Sequence, residues 1–353
     1  MLVKNLDRIA SINYNRKWIE ELPKNNPSNL PLFIMMVGIP GSGKTTKAQA
    51  IAKDEKINAI VLSSDVYREK IAKDSKDTPK NESVFEALYN DLTNFLEAGR
   101  SVILDATNTT TKTRRKAFER IKNFKTYKVA YVVNEPYPTC SLRNQLRDRV
   151  VPEEAIEKFF YNFEVPMTFE GFDKIVLHCP YEVNKGSYAF YEIFYEKMAG
   201  FNQKTRWHRH NLLPHCIIAY DYLRELQKEE VLSEGKKISP ILLEAAKVHD
   251  IGKLYAGKKK PDGNYSYAGH ANVGAYVLLS SLRDGLVPPG MNEEEFLEMV
   301  FYVNYHMYSH DLIRKETKKE TRKAFQDKIG FYLYENLMLL EEADEYASGR
   351  SLV

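Results

Sequence analysis

The residues best suited to do chemistry fall into two sets. The first is Gly38-Ile39-Pro40-Gly41-Ser42-Gly43-Lys44-Thr45, with the apolar run Leu32 to Val37 before it and the helix-competent stretch Thr46 to Lys53 after it. This is the G-x-x-x-x-G-K-[ST] pattern in a strand–loop–helix setting, which cradles a polyphosphate. Glycines let backbone N–H groups curl around the anion, and a helix N-terminus adds a favourable dipole. Lys44 would reach the β- and γ-phosphates, and the Thr45 hydroxyl would bind Mg²⁺. The second set lies far downstream: His215, the doublet His249-Asp250, His270, His306 and Asp344. A lone histidine on a helix is ordinarily packed or at the surface, and His208 and His210 read that way. A His-Asp doublet at a helix end, framed by an upstream His and a downstream Asp on other helices, points elsewhere. Mixed imidazole and carboxylate donors suit a first-row transition metal with open positions. Such an ion lowers the pKa of a bound water and polarises a phosphoryl oxygen.

Further candidates flank the glycine loop. Leu62-Ser63-Ser64-Asp65-Val66-Tyr67-Arg68 puts Asp65 at a strand exit. There it can accept a proton from an attacking hydroxyl, with Arg68 holding a phosphate on the acceptor; the plainer alternative is an N-cap aspartate and a surface arginine. Asp105, ending Ile103-Leu104-Asp105, stands where a carboxylate holds Mg²⁺ through water, or else caps a turn. Lys112, Arg114, Arg115, Lys116, Arg120, Lys122 and Lys125 read either as a solvated helix face or as a rim tracking a nucleic-acid backbone. Beyond them, Arg143 and Arg147 are expected on one face of a helix, with Arg149 nearby. Arginines on a helical lid can neutralise a transferring phosphoryl group.

These side chains need a scaffold. Strands are predicted at 33–37, 59–63, 101–105, 128–133 and 174–178, separated by helices at 44–54, 82–98, 111–123 and 139–162. That alternation predicts a parallel sheet with helices on both faces, its site at the carboxyl ends of the strands. From 188 onward the chain reads almost wholly helical, with helices at 188–199, 211–229, 239–249, 269–284, 293–307 and 324–347. The expected organisation is an arm (1–30), an α/β domain (31–183) and an all-α domain (184–353).

Composition narrows the class. Of 353 residues 43% are hydrophobic and 28% charged, as in an ordinary globular protein, and 51 basic against 48 acidic residues argue against holding duplex nucleic acid mainly by bulk charge while permitting a local basic groove. Cys140, Cys179 and Cys216 make no C-x-x-C pair, so a disulfide framework is not expected. No run approaches the roughly 18 apolar residues of a membrane span, and no signal-peptide core opens the chain. A cytoplasmic location is the expectation.

Gly38–Thr45, Ser64-Asp65-x-x-Arg68, Asp105-Ala-Thr107-Asn108 and Arg143-Asn144…Arg147…Val151-Pro152 together resemble the P-loop 5′-hydroxyl polynucleotide kinases over roughly residues 30–180. The resemblance implies Asp65 as general base on a 5′-OH and Arg68 on the acceptor's 3′-side phosphate. Lys44 and Arg147 would act on the ATP phosphates, with Arg149 as the alternative to Arg147. ATP and Mg²⁺ would be held by Gly38, Pro40, Gly41, Ser42, Gly43, Thr45, Thr46, Asp105 and Arg143. The His…His-Asp…Asp order, with His249-Asp250-Ile251-Gly252-Lys253 and Ala343-Asp344-x-x-Ala347, resembles the HD phosphohydrolase superfamily over roughly 185–353. That match implies His215, His249, Asp250 and Asp344 as ligands of a divalent metal such as Mn, Co, Ni, Zn or Fe. It gives His270 and His306 to a second ion or substrate phosphate, and Lys253 to phosphate.

The pairing is similar to bacterial HD-plus-kinase RNA end-healing enzymes, with the domain order reversed. The phosphatases of kinase-first phage enzymes carry an Asp-x-Asp motif, and this chain has none. The implied activity is phosphorylation of a 5′-OH end and hydrolysis of a 3′-phosphate or 2′,3′-cyclic phosphate end, on RNA by preference. It would act upstream of a separate ligase and away from membranes. Two alternatives keep both sites: a small-metabolite or nucleoside kinase fused to a nucleotide phosphohydrolase, and an ATP-sensing loop gating a hydrolase.

Overall fold

The computed structural model describes residues 29–74, 81–179, 189–205, 209–228, 238–314 and 318–349. Nearly all of the expected N-terminal arm, and His208, lie outside them. The described residues form two compact units, one ending at His178 and the other starting at Cys179.

The first unit holds five strands: β1 (Leu32–Val37), β2 (Ile60–Ser63), β3 (Val102–Asp105), β4 (Tyr127–Val132) and β5 (Lys174–Leu177). All pair in parallel, in the order β2-β3-β1-β4-β5. Parallel neighbours require crossover connections, which α1 (Lys44–Ala52), α2 (Ser64–Asp74), α3 (Asn81–Glu97), α4 (Thr111–Ile121), α5 (Tyr137–Gln145) and α6 (Glu153–Tyr161) supply. A strand covered on both faces must be apolar throughout, and all six residues of β1 are buried. Leu32, Ile34 and Met36 pack with Ala48 and Ile51 of α1. On the opposite face Phe33 meets Phe118 of α4, ring centroids 6.4 Å apart. The glycine loop therefore leaves the central strand, where ligands of open α/β sheets gather.

Three expectations are corrected. The single helix at 139–162 is two, α5 and α6. The Asn144 side chain accepts a hydrogen bond from Val151 N (3.0 Å) and donates one to Val151 O (2.8 Å), tying off the loop between them. Arg147 and Arg149 lie in that loop, so Arg143 and Arg147 do not share a helix face. Arg114 is not on a solvated face: it is fully buried, forking onto Glu170 at 2.7 and 2.8 Å and donating to the carbonyls of Asn108 and Glu164. Helix α2, unassigned in the sequence, places Asp65 in its first turn.

The second unit comprises α7 (Ala189–Ala199), α8 (Leu212–Lys228), α9 (Pro240–Ala246), α10 (Lys253–Ala256), α11 (His270–Ser281), α12 (Glu293–Arg314), α13 (Lys319–Ile329) and α14 (Phe331–Ala347). It is mostly rather than wholly helical, because β6 (Lys258–Lys259) and β7 (Tyr265–Ser266) form an antiparallel hairpin. The helix expected at 324–347 is interrupted at Gly330 (φ +88°), which separates α13 from α14. Helix α8 packs on α14, and α12 on α9 and α11. No described helix is long and apolar enough to cross a membrane.

Candidate functional site

Two side-chain clusters stand out, one in each unit. In the first, the glycine loop is pinned from both sides. Gly38 N donates to Thr107 O (3.0 Å), and the Asn108 amide donates to Met36 O (2.8 Å), locking the exits of β1 and β3 together. Gly41 (φ +83°) lies against α5, where a Cβ would stand 2.1 Å from Cys140 O. No other residue fits there. The loop's Ser42 Oγ is buried and has no hydrogen-bond partner among the described residues. Lys44 Nζ reaches back to Ile39 O (2.9 Å), and burial lowers its pKa although Asp105 opposes the shift. Thr45 Oγ1 donates to Asp105 Oδ2 (2.8 Å), joining the hydroxyl and carboxylate that the sequence assigned to one cation.

Gly41, Lys44, Thr45, Asp105, Thr107 and Asn108 line a cleft of about 1060 Å³. Asp65, Arg68, Arg143, Arg147 and Arg149 line it too, as do Phe85 and Tyr89 of α3 and Lys112, Arg115, Lys116 and Arg120 of α4. Asp65 pairs with Arg147 (3.0 Å) and Arg149 (3.5 Å), all three part-exposed. Arg68 donates to Asn81 (2.7 Å), and Arg143 pairs with Glu135 at 3.3 Å. The cationic run of α4 thus divides: Arg114 is structural, while its exposed neighbours face the cleft.

In the second unit, His215 comes from α8, His249 and Asp250 from the turn after α9, His270 from the start of α11, His306 from α12 and Asp344 from α14. Close packing brings them together. At Gly252 a Cβ would lie 2.0 Å from His270 O, so only glycine lets this turn seat on the end of α11. His215 Nε2 lies 3.2 Å from Asp250 and 2.9 Å from Asp344. His270 Nε2 lies 3.0 Å from Asp250 Oδ1 and 3.0 Å from His306 Nε2.

Donor atoms of two groups come within 4.8 Å of one another: His215, His249, Asp250 and Asp344, and Asp250, His270 and His306. His249, His270 and His306 each set Nδ1 2.8 Å from a backbone carbonyl, of Ala246, Tyr267 and Val303. An Nδ1–H bonded this way leaves the Nε2 lone pair for a metal. His249 Nε2 is buried without a hydrogen-bond partner among the described residues, 3.6 Å from Asp250 and 3.7 Å from Asp344. The donor set thus fits a transition metal. Burial alone would lower His215, but hydrogen bonds to Asp250 and Asp344 outweigh it and raise its pKa to about 9. Burial opposes ionisation of Asp250 as well, yet Lys253 and the histidines hold its carboxyl well below the usual range.

Three supports were not visible in the sequence. Gln203 accepts from Lys253 Nζ (2.9 Å), which also reaches Asp250 (2.5 Å). Asn81 holds Arg68, and Glu170 receives Arg114. None carries a motif: the pairs are 50, 13 and 56 residues apart in the sequence, and Gln203 sits in a polar stretch, Asn202-Gln203-Lys204-Thr205, that gives it no contrast.

Comparison with known proteins bears on the first unit. Residues 33–166, less than half of the chain, match the AAA_33 family, described as an AAA domain. Over 150 residues the chain is 28% identical to the L-seryl-tRNA(Sec) kinase of Methanococcus maripaludis, covering 40% of this chain and 56% of that protein. The chain therefore spans little more than half the length of that curated relative. Among solved structures, a Pnkp1/Rnl/Hen1 RNA repair complex aligns at 26% identity, covering 39% of this chain and 45% of that one, with a TM-score of 0.33. A gluconokinase from Sinorhizobium meliloti 1021 aligns at 20% identity, 42% and 81% coverage, and a TM-score of 0.31. Residues 33–166 thus carry a phosphate loop on the central strand of a parallel α/β sheet and match this AAA-domain family.

Proposed function

We propose that the chain heals nucleic-acid ends, transferring the ATP γ-phosphate to a 5′-OH and removing a 3′-phosphate or 2′,3′-cyclic phosphate. The observation that carries the nucleic-acid acceptor is the cleft lining. Arg68, Lys112, Arg115 and Lys116 share one cleft with the phosphate loop, and Arg120 lines it paired with Glu86. A small neutral metabolite has no use for so many cations beyond the triphosphate, whereas a strand has phosphates for them. The curated relative supports this, since its name puts the accepting seryl group on a tRNA.

In this reading Asp65 takes the proton of the 5′-OH, and Arg68 positions the acceptor through its 3′-side phosphate. Lys44 and Arg147 stabilise charge on the phosphoryl oxygens as it develops, Arg149 is poised to do the same, and Arg143 holds the donor phosphates. Thr45 and Asp105 would hold Mg²⁺, which would neutralise charge on the donor phosphates. The pairing of Asp65 with Arg147 must open for both to reach substrate, which costs little for part-exposed partners.

In the second unit His215, His249, Asp250 and Asp344 would hold a divalent transition metal, which supplies an acidified water and a polarised phosphoryl oxygen. Lys253, held between Gln203 and Asp250, keeps that carboxylate oriented. His270 and His306 face the same carboxylate and would take substrate phosphate or a second ion.

The test for the kinase is label transfer from ATP to a 5′-OH oligonucleotide. Absence of transfer by wild type, or full transfer by Asp65→Ala, sinks that assignment. Competition by free nucleosides as strong as by oligonucleotides makes the acceptor a small molecule instead. For the hydrolase, His249→Ala with Asp250→Ala should abolish metal-dependent 3′-dephosphorylation and leave 5′ labelling intact.

A further inference from the structure

The hairpin between the two halves of the histidine–aspartate cluster is unlike the rest of the second unit. It follows α10, whose first residue is Lys253, and runs into α11, whose first residue is His270. Both ends are thus fixed to the cluster: Lys253 by its contact with Asp250, and His270 by its Nδ1 contact with Tyr267 O. Tyr267 OH also donates to Gln203 O (2.7 Å), the residue whose side chain receives Lys253.

The hairpin itself is well built. Lys258 pairs with Ser266 and Lys259 with Tyr265. The turn is closed by Gly263 N to Lys260 O (3.1 Å), Lys260 N to Asn264 O (2.7 Å) and Asn264 N to Asp262 Oδ1 (3.0 Å). Tyr265 and Tyr267 stack at 6.3 Å over Gly257, and Lys204 Nζ lies 5.5 Å from the Tyr265 ring centroid.

Its surface is strongly basic. Lys258, Lys259, Lys260 and Lys204 are all exposed, and Asp262 is the one acidic residue between Gly257 and Tyr267. Strand geometry carries Lys260 about 10 Å from Tyr267, at ~3.3 Å per residue. That is roughly three nucleotides of a stacked strand at ~3.4 Å each. Exposed lysines ordinarily serve solubility. Here three consecutive ones ride a hydrogen-bonded hairpin whose flanking segments contact the buried cluster at both ends.

We propose that this hairpin, with Lys204, is a strand-holding finger. Its lysines would grip the backbone phosphates of a single-stranded nucleic acid whose terminal phosphate enters the histidine–aspartate cluster. The proposal rests on the nucleic-acid reading above and deepens it, because it separates holding the strand from cleaving its end.

The experiment uses the full chain with Mn²⁺, a 5′-phosphorylated oligonucleotide carrying a 3′-phosphate, and p-nitrophenyl phosphate as a substrate without a strand. For Lys258→Ala/Lys259→Ala/Lys260→Ala we expect KM for the oligonucleotide to rise at least tenfold, with kcat within twofold. Hydrolysis of p-nitrophenyl phosphate should be unchanged. The plot of log(kcat/KM) against log[salt] should become shallower by about 2, at ~0.7 for each phosphate the variant no longer neutralises. An unchanged oligonucleotide KM and salt slope overturn the finger alone. Wild type that hydrolyses p-nitrophenyl phosphate but no oligonucleotide overturns the nucleic-acid reading and the finger with it. If neither is hydrolysed, fluorescence anisotropy decides: equal oligonucleotide affinity of variant and wild type overturns the finger, and tenfold weaker binding by the variant supports it.

Discussion

The phosphate-loop cleft and the histidine–aspartate cluster are both built from charge, in opposite surroundings. Around Asp65, side chains keep 38% to 53% of their exposure, whereas His215, His249 and Asp250 keep 0% or 1%. Exposed ion pairs contribute about 0–1 kcal/mol, so the cleft can exchange partners whenever substrate arrives. Breaking a buried set by removing one member costs ~3–5 kcal/mol, so the cluster holds its geometry in advance. Loss of function in the first unit should therefore come without loss of fold, while in the second the two should be linked.

The largest effect on this contrast is expected from Asp65→Ala, which should lower kcat for 5′-OH labelling by roughly 10²–10⁴-fold. Its thermal midpoint should stay at the wild-type value; a clear fall would mean Asp65 is a structural cap. Next is Asp250→Ala, which strands Lys253 and His215 in the interior and should cost ~3–5 kcal/mol in denaturant unfolding. Labelling by the first unit should persist in that variant. Helix α4 offers the same contrast within one element. Arg114→Ala should cost ~3–5 kcal/mol because it leaves the Glu170 carboxylate buried alone, and Arg115→Ala should stay within about 0.5 kcal/mol. Smaller again, Mn²⁺ at a hundred times its dissociation constant should stabilise the second unit by about 2.7 kcal/mol, reversed by chelation and absent in Asp250→Ala.

Much of the fold and of both clusters is legible in the sequence, for identifiable reasons. Every strand of the sheet lies within a residue or two of its expected place, since buried parallel strands are short apolar runs between polar helices. The glycine loop is a local motif, and the six histidine and aspartate positions stand out by residue type. What escapes is decided by long-range partners. Nothing adjacent to Arg114 announces Glu170, 56 residues away. Arg147 looks helical by spacing, but the Asn144–Val151 bonds end the helix first. Helix α2 has weak amphipathic character and follows a strand without a gap, so periodicity does not separate them.

The strand order also bears on how the chain reaches its fold. Strand β1 pairs with β3 and β4 but not with β2, and its first β3 partner, Val102 opposite Phe33, is 69 residues away. Non-local pairings form slowly, because loop closure precedes any gain from contact. The nucleotide loop therefore cannot be locked until Thr107 and Asn108 arrive, however early in synthesis Gly38–Thr45 emerges. ATP-analogue fluorescence during refolding should consequently report a late event, after far-ultraviolet circular dichroism has already registered the helices.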